Sequence, residues 1–356
     1  MLRLSFSQRA LRFNFPARTS RGALAEHVAW YLHLHDEANP TVVGVGEAAP
    51  LAGLSPDYRP DFPALVAGLC HRFNAGALAA FPAADAPAFV GPGLPALTFA
   101  LETAALDLAS GGRRQLYANG FSQGRTALPI NGLVWMGDAA FMREQIQQKL
   151  AAGYSCLKLK IGGLDFATEL ALLAEIRAVA GPERLTLRVD ANGAFSPAEA
   201  PARLTQLAAF HIHSIEQPIA AGQPAALAAL CRTSPLLIAL DEELIGVTDP
   251  ARQAALLDEI RPAYVVLKPT LLGGHAATRR WIALAEARGI GWWITSALES
   301  NVGLNAVAQL TGEYDVRGFQ QGLGTGQLYH NNVGAPLHIA HGALRYDPAD
   351  AWERLD

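Results

Sequence analysis

The first fifty positions alternate apolar and polar residues. "LRLSFS", "HVAWYLHLH" and "TVVGVGEA" each carry the two-residue period of a strand with one buried face, and polar turn material separates them. Apolar residues then recur at helical spacing from Leu65 to Phe73 and from Leu97 to Leu108, which predicts two helices. Strands followed by helices make an α+β unit of about 120 residues. From Ile130 the pattern changes to eight short apolar runs, "INGLVWM", "SCLKLK", "LTLRVD", "SIEQP", "LLIALDE", "AYVVLK", "GWWITS" and "GFQQG", with helical segments between them.

Helix signals punctuate those segments. Ser196-Pro197 with Glu199 reads as a capping box with proline at the first helical position, Asp249-Pro250 repeats the start, and Gly289 stands where a helix should stop. Eight strand and helix units in roughly 200 residues are what a closed parallel barrel requires. The expected organisation is an α+β unit over 1–125, a barrel over 126–324, and a last segment over 325–356 that lacks a helix and returns to pack on the first unit.

Composition narrows the partners. The chain has 356 residues, 51% of them apolar and 17% charged, with a formal net charge of −4 and dispersed Lys and Arg, so no footprint for nucleic acid or an anionic membrane is present. A small-molecule partner is expected, and the oligomeric state is not readable. Cys70, Cys156 and Cys231 fit neither a zinc spacing nor a disulfide framework and are expected as buried free thiols. The N-terminus lacks a signal-peptide pattern and no run is long enough to span a membrane, so the cytoplasm is the expected location.

The candidate chemistry lies at the ends of the predicted strands. Lys158 and Lys160, then Asp190, Glu216, Asp241, Lys268 and Ser296 recur every 25 to 30 residues, about one βα unit apart. In a barrel these ends meet at one mouth, where active sites sit. Each acid alone reads equally as a helix cap or a loop salt bridge; their common register is the informative feature. Asp190, Glu216 and Asp241 form an all-oxygen set that repels itself unless a cation lies between its members, and Mg²⁺ is the first choice. Glu242 points the other way and is left as a supporting group. Strand alternation puts Lys158 and Lys160 on one face, where burial and mutual repulsion depress a lysine pKa, so Lys160 is the expected base and Lys268 faces it across the barrel. Removing a proton next to a carboxylate builds a charge that needs a metal. Arg188 shares the barrel-facing side, as a substrate contact or as a structural partner of Glu216.

These motifs, "KLK", "VDAN", "IEQP", "LDEE" and "LKP", resemble the enolase superfamily, muconate-lactonizing subgroup, along essentially the whole chain. The resemblance implies a modified TIM barrel, (β/α)7β, with an N-terminal α+β capping domain. Within the subgroup, "GEAAPLAGLS", "INGLVWMG", "LKPTLLGG" and "TSALESNVGLN" are most similar to the o-succinylbenzoate synthases of menaquinone biosynthesis. That similarity implies a Mg²⁺-dependent hydro-lyase, with Mn²⁺ as a substitute, that dehydrates a cyclohexadiene carboxylate by syn elimination. Lys160 would move the proton, Lys158 would orient it and Lys268 would stabilise the developing charge from the opposite face. Asn192, Ser296, Glu299, Ser300 and Arg21 are implied substrate contacts, and the segments "ARTSRGALA" and "EAAPLAGLSPD" would close the mouth. The alternatives are racemisation of an N-acylamino acid or epimerisation of a dipeptide at the same two lysines and, more distantly, a non-catalytic metabolite-binding barrel. His211 and His213 lie at the wrong end of their strand for the mouth, His33 and His35 alternate within an N-terminal strand, and "GLGTGQ" has no helix pattern after it. These read as structural.

Overall fold

Alternation over the first fifty residues becomes an antiparallel meander of β1 (Leu2–Thr19), β2 (Gly22–Asp36) and β3 (Asn39–Ala48). The computed structural model describes residues 1–19 and 22–355. Leu2, Leu4, Leu32 and Leu34 turn one face of this sheet onto α1 (Phe62–Ala75), α2 (Ala86–Val90) and α3 (Pro95–Ala109). Both helices predicted in this unit, α1 and α3, are present. The glycines of "TVVGVGEA" set the distance between layers. A Cβ on Gly44 or Gly46 would come 2.1 or 1.9 Å from the carbonyl oxygens of Ala104 and Ala100, so α3 rests directly on the β3 backbone.

A two-residue strand, β4 (Leu128–Pro129), leads into the barrel. Strands and helices then alternate: β5 (Gly132–Val134), α4 (Ala139–Ala151), β6 (Cys156–Lys160), α5 (Phe166–Val179), β7 (Thr186–Asp190), α6 (Ala200–Ala208), β8 (Ser214–Glu216), α7 (Pro224–Thr233), β9 (Leu237–Leu240), α8 (Pro250–Ile260), β10 (Tyr264–Leu267), α9 (Pro269–Leu272), α10 (His275–Glu286), β11 (Gly291–Ile294) and α11 (Asn301–Thr311). The strands from β5 to β11 pair in parallel in chain order, as successive right-handed crossovers dictate. Their residues are buried almost throughout, as a sheet covered on both faces requires.

The eighth predicted strand differs. Among the described residues "GFQQG" forms no strand of its own, and the barrel closes through two single bridges, Gln321 to Ile130 and Gly322 to Thr295. The neighbouring groups are engaged elsewhere: Phe319 packs on Trp293, and the Gln320 carbonyl accepts from Arg188. Gly322 allows the seam to close, since a Cβ there would lie 1.9 Å from Thr295 Oγ1. Beyond it, β12 (Leu337–Ala340) and β13 (Ala343–Tyr346) form a hairpin that pairs with β4, an element absent from the sequence reading. Residues 328–330 lie along β1, with Asn14 N–H donating to Leu328 O and His330 N–H to Arg12 O.

The helix starts follow their signals. Asp249 accepts from Arg252 N–H at the start of α8, and Ser196 and Glu199 bond reciprocally, although α6 itself begins only at Ala200. Gly289 has φ +68° and donates to Glu286 O just past α10. Cys70 and Cys156 are buried, whereas Cys231 is only partly so; all three are free. No described helix is long and apolar enough to cross a membrane.

Several buried carboxylates accept from backbone N–H donors, four of them around the first unit and its contact with the barrel. Asp57 accepts from Ala96 and Leu97 at the start of α3, and Asp107 from Val45 and Arg114. Glu102 accepts from His275 and Ala276 at the start of α10, and Glu47 from Ser300 and Gly303 at the start of α11. Burial nevertheless raises Glu47 and Glu102 to about 7, and Asp57 and Asp107 to about 6. An acid with a folded pKa above its unfolded value keeps its proton in the folded state over a window where the unfolded chain has released it. Its contribution to stability is therefore complete below the unfolded pKa and is lost as pH rises through the folded one. Glu102→Gln should shrink the stability difference between pH 5 and pH 8 by on the order of 2–3 kcal/mol relative to wild type, read from paired denaturant midpoints. An unchanged difference would mean that Glu102 is ionised across that range.

Candidate active site

Strand register assembles the site. Lys160 pairs with Asp190 across β6 and β7, and Asp190 with Glu216 across β7 and β8, so three charged groups lie side by side at one level. Glu216 pairs in turn with Ala239, and Asp241 follows two residues later on the same face. Asp190, Glu216 and Asp241 are 0–2% exposed, and each offers an oxygen within 4.8 Å of the others.

Three lysines face the three acids. Lys158 Nζ lies 3.0 Å from Asp190 Oδ2 and donates to Glu216 Oε2; Lys160 Nζ lies 3.0 Å from the same Asp190 oxygen and 2.8 Å from Asn192 Oδ1; Lys268 Nζ lies 2.5 Å from Asp241 Oδ2. Lys268 directly follows β10, which lies four steps from the strand of Lys160 in the sheet, halfway round an eight-sided barrel. The two amines therefore approach the mouth from opposite sides.

Their titration separates along the same lines. Burial lowers the Lys160 pKa, and the charges of Lys158 and Lys268 lower it further, against the pull of Asp190. Burial opposes the charge of Lys158 as well, but Asp190 and Glu216 outweigh it and raise that lysine; Asp241 and Glu242 do the same for Lys268. Asp190 is held low, because three lysine charges overcome its burial. Glu216 and Asp241 are raised by burial and by the other acids around them. Of the three lysines, Lys160 is thus the one whose charged form its surroundings disfavour. Two of the acids lack full compensation.

That deficit fits a cation. Glu216 Oε1 is buried without a hydrogen-bond partner, and the donor set is all carboxylate oxygen, which suits a hard divalent ion. Neighbouring groups fix the ligands. Asn192, at φ +44°, turns its N–H to Asp190 Oδ1 (3.0 Å) and its Nδ2 to Glu242 Oε1 (3.0 Å). Gln217, at φ +38°, accepts from Asp241 N–H and Glu243 N–H with one side-chain oxygen. Left-handed backbone at non-glycine residues costs energy and persists where the surroundings enforce it.

A cavity of about 660 Å³, counting its open mouth, lies over these groups. Lys158, Lys160, Asp190 and Lys268 form its charged side, and Leu51, Leu54, Leu133, Trp135 and Leu298 its apolar side. Leu51 and Leu54 belong to "EAAPLAGLSPD", so that predicted closing segment does reach the mouth. Ser296 lines the cavity and shares a hydrogen bond with Thr325.

Four predicted substrate contacts are absent from the cavity lining: Asn192 stands beside it, bonded to Lys160 and Asp190, and three lie elsewhere. Arg188 is one layer deeper, opposite Lys158, with its guanidinium between Trp293 and Phe319 at 4.4 and 4.3 Å and a hydrogen bond to Gln320 O. It forms the barrel floor and, among the described residues, pairs with no carboxylate, because alternation fixes the face of a residue but not its depth. Glu299 is fully buried, accepting from Thr270 Oγ1 and Ala297 N–H, and Ser300 is the N-cap of α11. Neither lines the cavity. Arg21 lies outside the described residues. The sequence reading missed Asn131, Trp135, Gln217 and Leu298, although the rule that selected Asp190 also selects the end of the first barrel strand. His213 bonds Ser214 and Tyr264 at the opposite end of the barrel, as a structural group.

Residues 141–349 match the family model described as enolase C-terminal domain-like. The chain is 48% identical to the o-succinylbenzoate synthase of Desulfotalea psychrophila, covering 96% of this chain and 98% of that one. Among solved structures it is similar to that of MenC from Desulfotalea psychrophila, with a TM-score of 0.84 and 44% identity over 97% of this chain and 99% of that one. The L-Ala-D/L-Glu epimerase of Bacillus subtilis shares the fold, with a TM-score of 0.83 at 21% identity over 97% and 96% of the two chains.

Proposed function

The chain belongs to the enolase C-terminal domain-like family, and on that premise we propose that it dehydrates 2-succinyl-6-hydroxy-2,4-cyclohexadiene-1-carboxylate to o-succinylbenzoate, a step of menaquinone biosynthesis. The observation that carries this reading is that Lys160, Lys268 and Asp190 line one cavity. Near full-length similarity to an o-succinylbenzoate synthase selects dehydration among the reactions such a site supports.

In this mechanism the neutral Lys160 amine takes the proton from the ring carbon that bears the carboxylate. The electron pair of that C–H bond becomes the new ring double bond as the C–OH bond breaks. Lys160, now an ammonium, returns its proton to the departing hydroxide, so water leaves from the same face and the ring becomes aromatic. Lys268 keeps its proton and stabilises the charge from the other face, in the manner of a cation over a π system. Asn192 fixes the Lys160 amine through its Oδ1. Asp190, Glu216 and Asp241 would hold Mg²⁺, which supplies neutralisation of the substrate carboxylate as negative charge builds there. Ser296 offers a hydroxyl on the far wall for a substrate oxygen. The free thiols Cys70, Cys156 and Cys231 suit a reducing cytoplasm.

Incubation of the purified protein with the substrate and Mg²⁺, followed by chromatography and mass analysis, should show loss of water and formation of o-succinylbenzoate. No turnover in the presence of metal would exclude the assignment. The opposed lysines also favour a second reading, in which one takes and the other returns an α-proton of an N-acylamino acid. Deuterium exchange at that carbon faster than dehydration would select it.

A further inference from the structure

We propose that Glu47 is a positioning residue that fixes the far wall of the substrate cavity to the segment that closes it; this rests on the dehydration reading above. Glu47 is the penultimate residue of β3, four residues before Leu51, which lines the mouth. Its carboxylate crosses to the barrel and is fully buried there. Oε1 accepts from Ser300 N–H at 2.7 Å, while Oε2 accepts from Ser300 Oγ at 2.6 Å and from Gly303 N–H at 2.7 Å. One side chain thus satisfies three donors at the start of α11, where exposed N–H groups and the helix dipole favour an anion.

The residues just before that helix form the cavity wall. Thr295, Ser296, Ala297 and Leu298 all line it. Leu298 has φ +68°, and its carbonyl accepts from Tyr329 Oη at 2.7 Å. Glu299 completes the clamp from the barrel side, bonding Ala297 N–H and Thr270 Oγ1. Glu47 therefore joins two lining segments from distant parts of the chain, Leu51 to Leu54 and Thr295 to Leu298. Residue 303 must be small for this contact, since a Cβ there would lie 3.1 Å from Glu47 Oε2 and 2.6 Å from Glu299 Cβ. Lys160, Lys268 and the proposed metal ligand Asp190 stand on or directly after other strands, so the contact acts on how substrate is held.

Glu47→Gln keeps the shape but turns an NH₂ toward N–H donors. We expect the KM of the variant to rise at least tenfold while kcat stays within about threefold of wild type and its pH profile is unmoved. Gly303→Ala perturbs the same contact with the carboxylate retained and should shift KM in the same direction. Combining Glu47→Gln with Leu51→Ala should give a KM effect smaller than the product of the single effects, because both act on one wall. A readout independent of turnover is hydrogen exchange of the wild type and Glu47→Gln, in which segments 49–55 and 295–303 should speed up together at least tenfold while 156–160 stays unchanged. Unchanged KM with a lower active fraction, or exchange rates equal to wild type in those two segments, overturns the proposal. Wild-type protein that fails to make o-succinylbenzoate overturns the dehydration reading instead, and the exchange result still decides the positioning role.

Discussion

Lys160→Ala is expected to lower kcat by roughly 10²–10⁴-fold, the range set by loss of a positioned general acid and base. The amine is buried, held by Asn192 Oδ1 at 2.8 Å and shared with Asp190 at 3.0 Å, and it is the one lysine of the three whose charge the surroundings disfavour. Folding should survive, because Asp190 keeps Lys158 at 3.0 Å. Lys160→Arg separates two roles. Arginine restores the positive charge but stays protonated, so it cannot accept a proton, and this variant should be as inactive as the alanine one. Rates measured with both variants at saturating Mg²⁺, beside Mg²⁺ affinity from calorimetry, test the point. Turnover of either variant within tenfold of wild type would place the base elsewhere.

The second large effect concerns the acids. Exhaustive chelation should reduce turnover to background, and added Mg²⁺ should restore it. Glu216→Gln should be inactive at any accessible Mg²⁺ concentration, since it removes the charge of the ligand whose Oε1 has no other partner. The variant still folds, because Lys158 retains Asp190. A thermal shift reads this without substrate. A ligand that binds only the folded state at about 100 times its Kd stabilises it by about 2.7 kcal/mol, so the wild-type midpoint should rise with Mg²⁺ while that of Glu216→Gln stays put. Wild-type turnover unaffected by chelation would remove the metal from the mechanism.

How much of this was legible in the sequence depended on whether a position was set by local period or by distant contact. Asp190, Glu216, Asp241, Lys268 and the Lys158/Lys160 pair were readable because each ends a short apolar run, and parallel pairing of successive runs brings their ends to one level. Arg188 was misplaced because the same period holds at every layer of the barrel, and only the packing of Trp293 and Phe319 shows that this one is the floor. Glu299 and Ser300 follow a strand as Ser296 does, yet α11 and Glu47 draw them inward, and Glu47 is about 250 positions earlier in the chain. The hairpin of β12 and β13 pairs with a strand of only two residues, too short to leave a pattern. The eighth strand was expected from its count, but its glycines and the engagement of Phe319 and Gln320 leave only two bridging pairs.

That seam, held by four backbone hydrogen bonds between Gln321 and Gly322 on one side and Pro129, Asn131, Ile294 and Ser296 on the other, divides the mouth into two arcs. Every group proposed to react or to hold the ion stands on, or directly follows, one of five neighbouring strands, β6 to β10, paired in succession. The latch at Gln321 and Gly322 falls on the other side, next to the cavity wall of Thr295 to Leu298, the wall proposed to hold the remainder of the substrate. Substitutions near the latch can reshape what is accepted without disturbing the reactive amines, and such a division of labour lets one scaffold exchange substrates while keeping its chemistry.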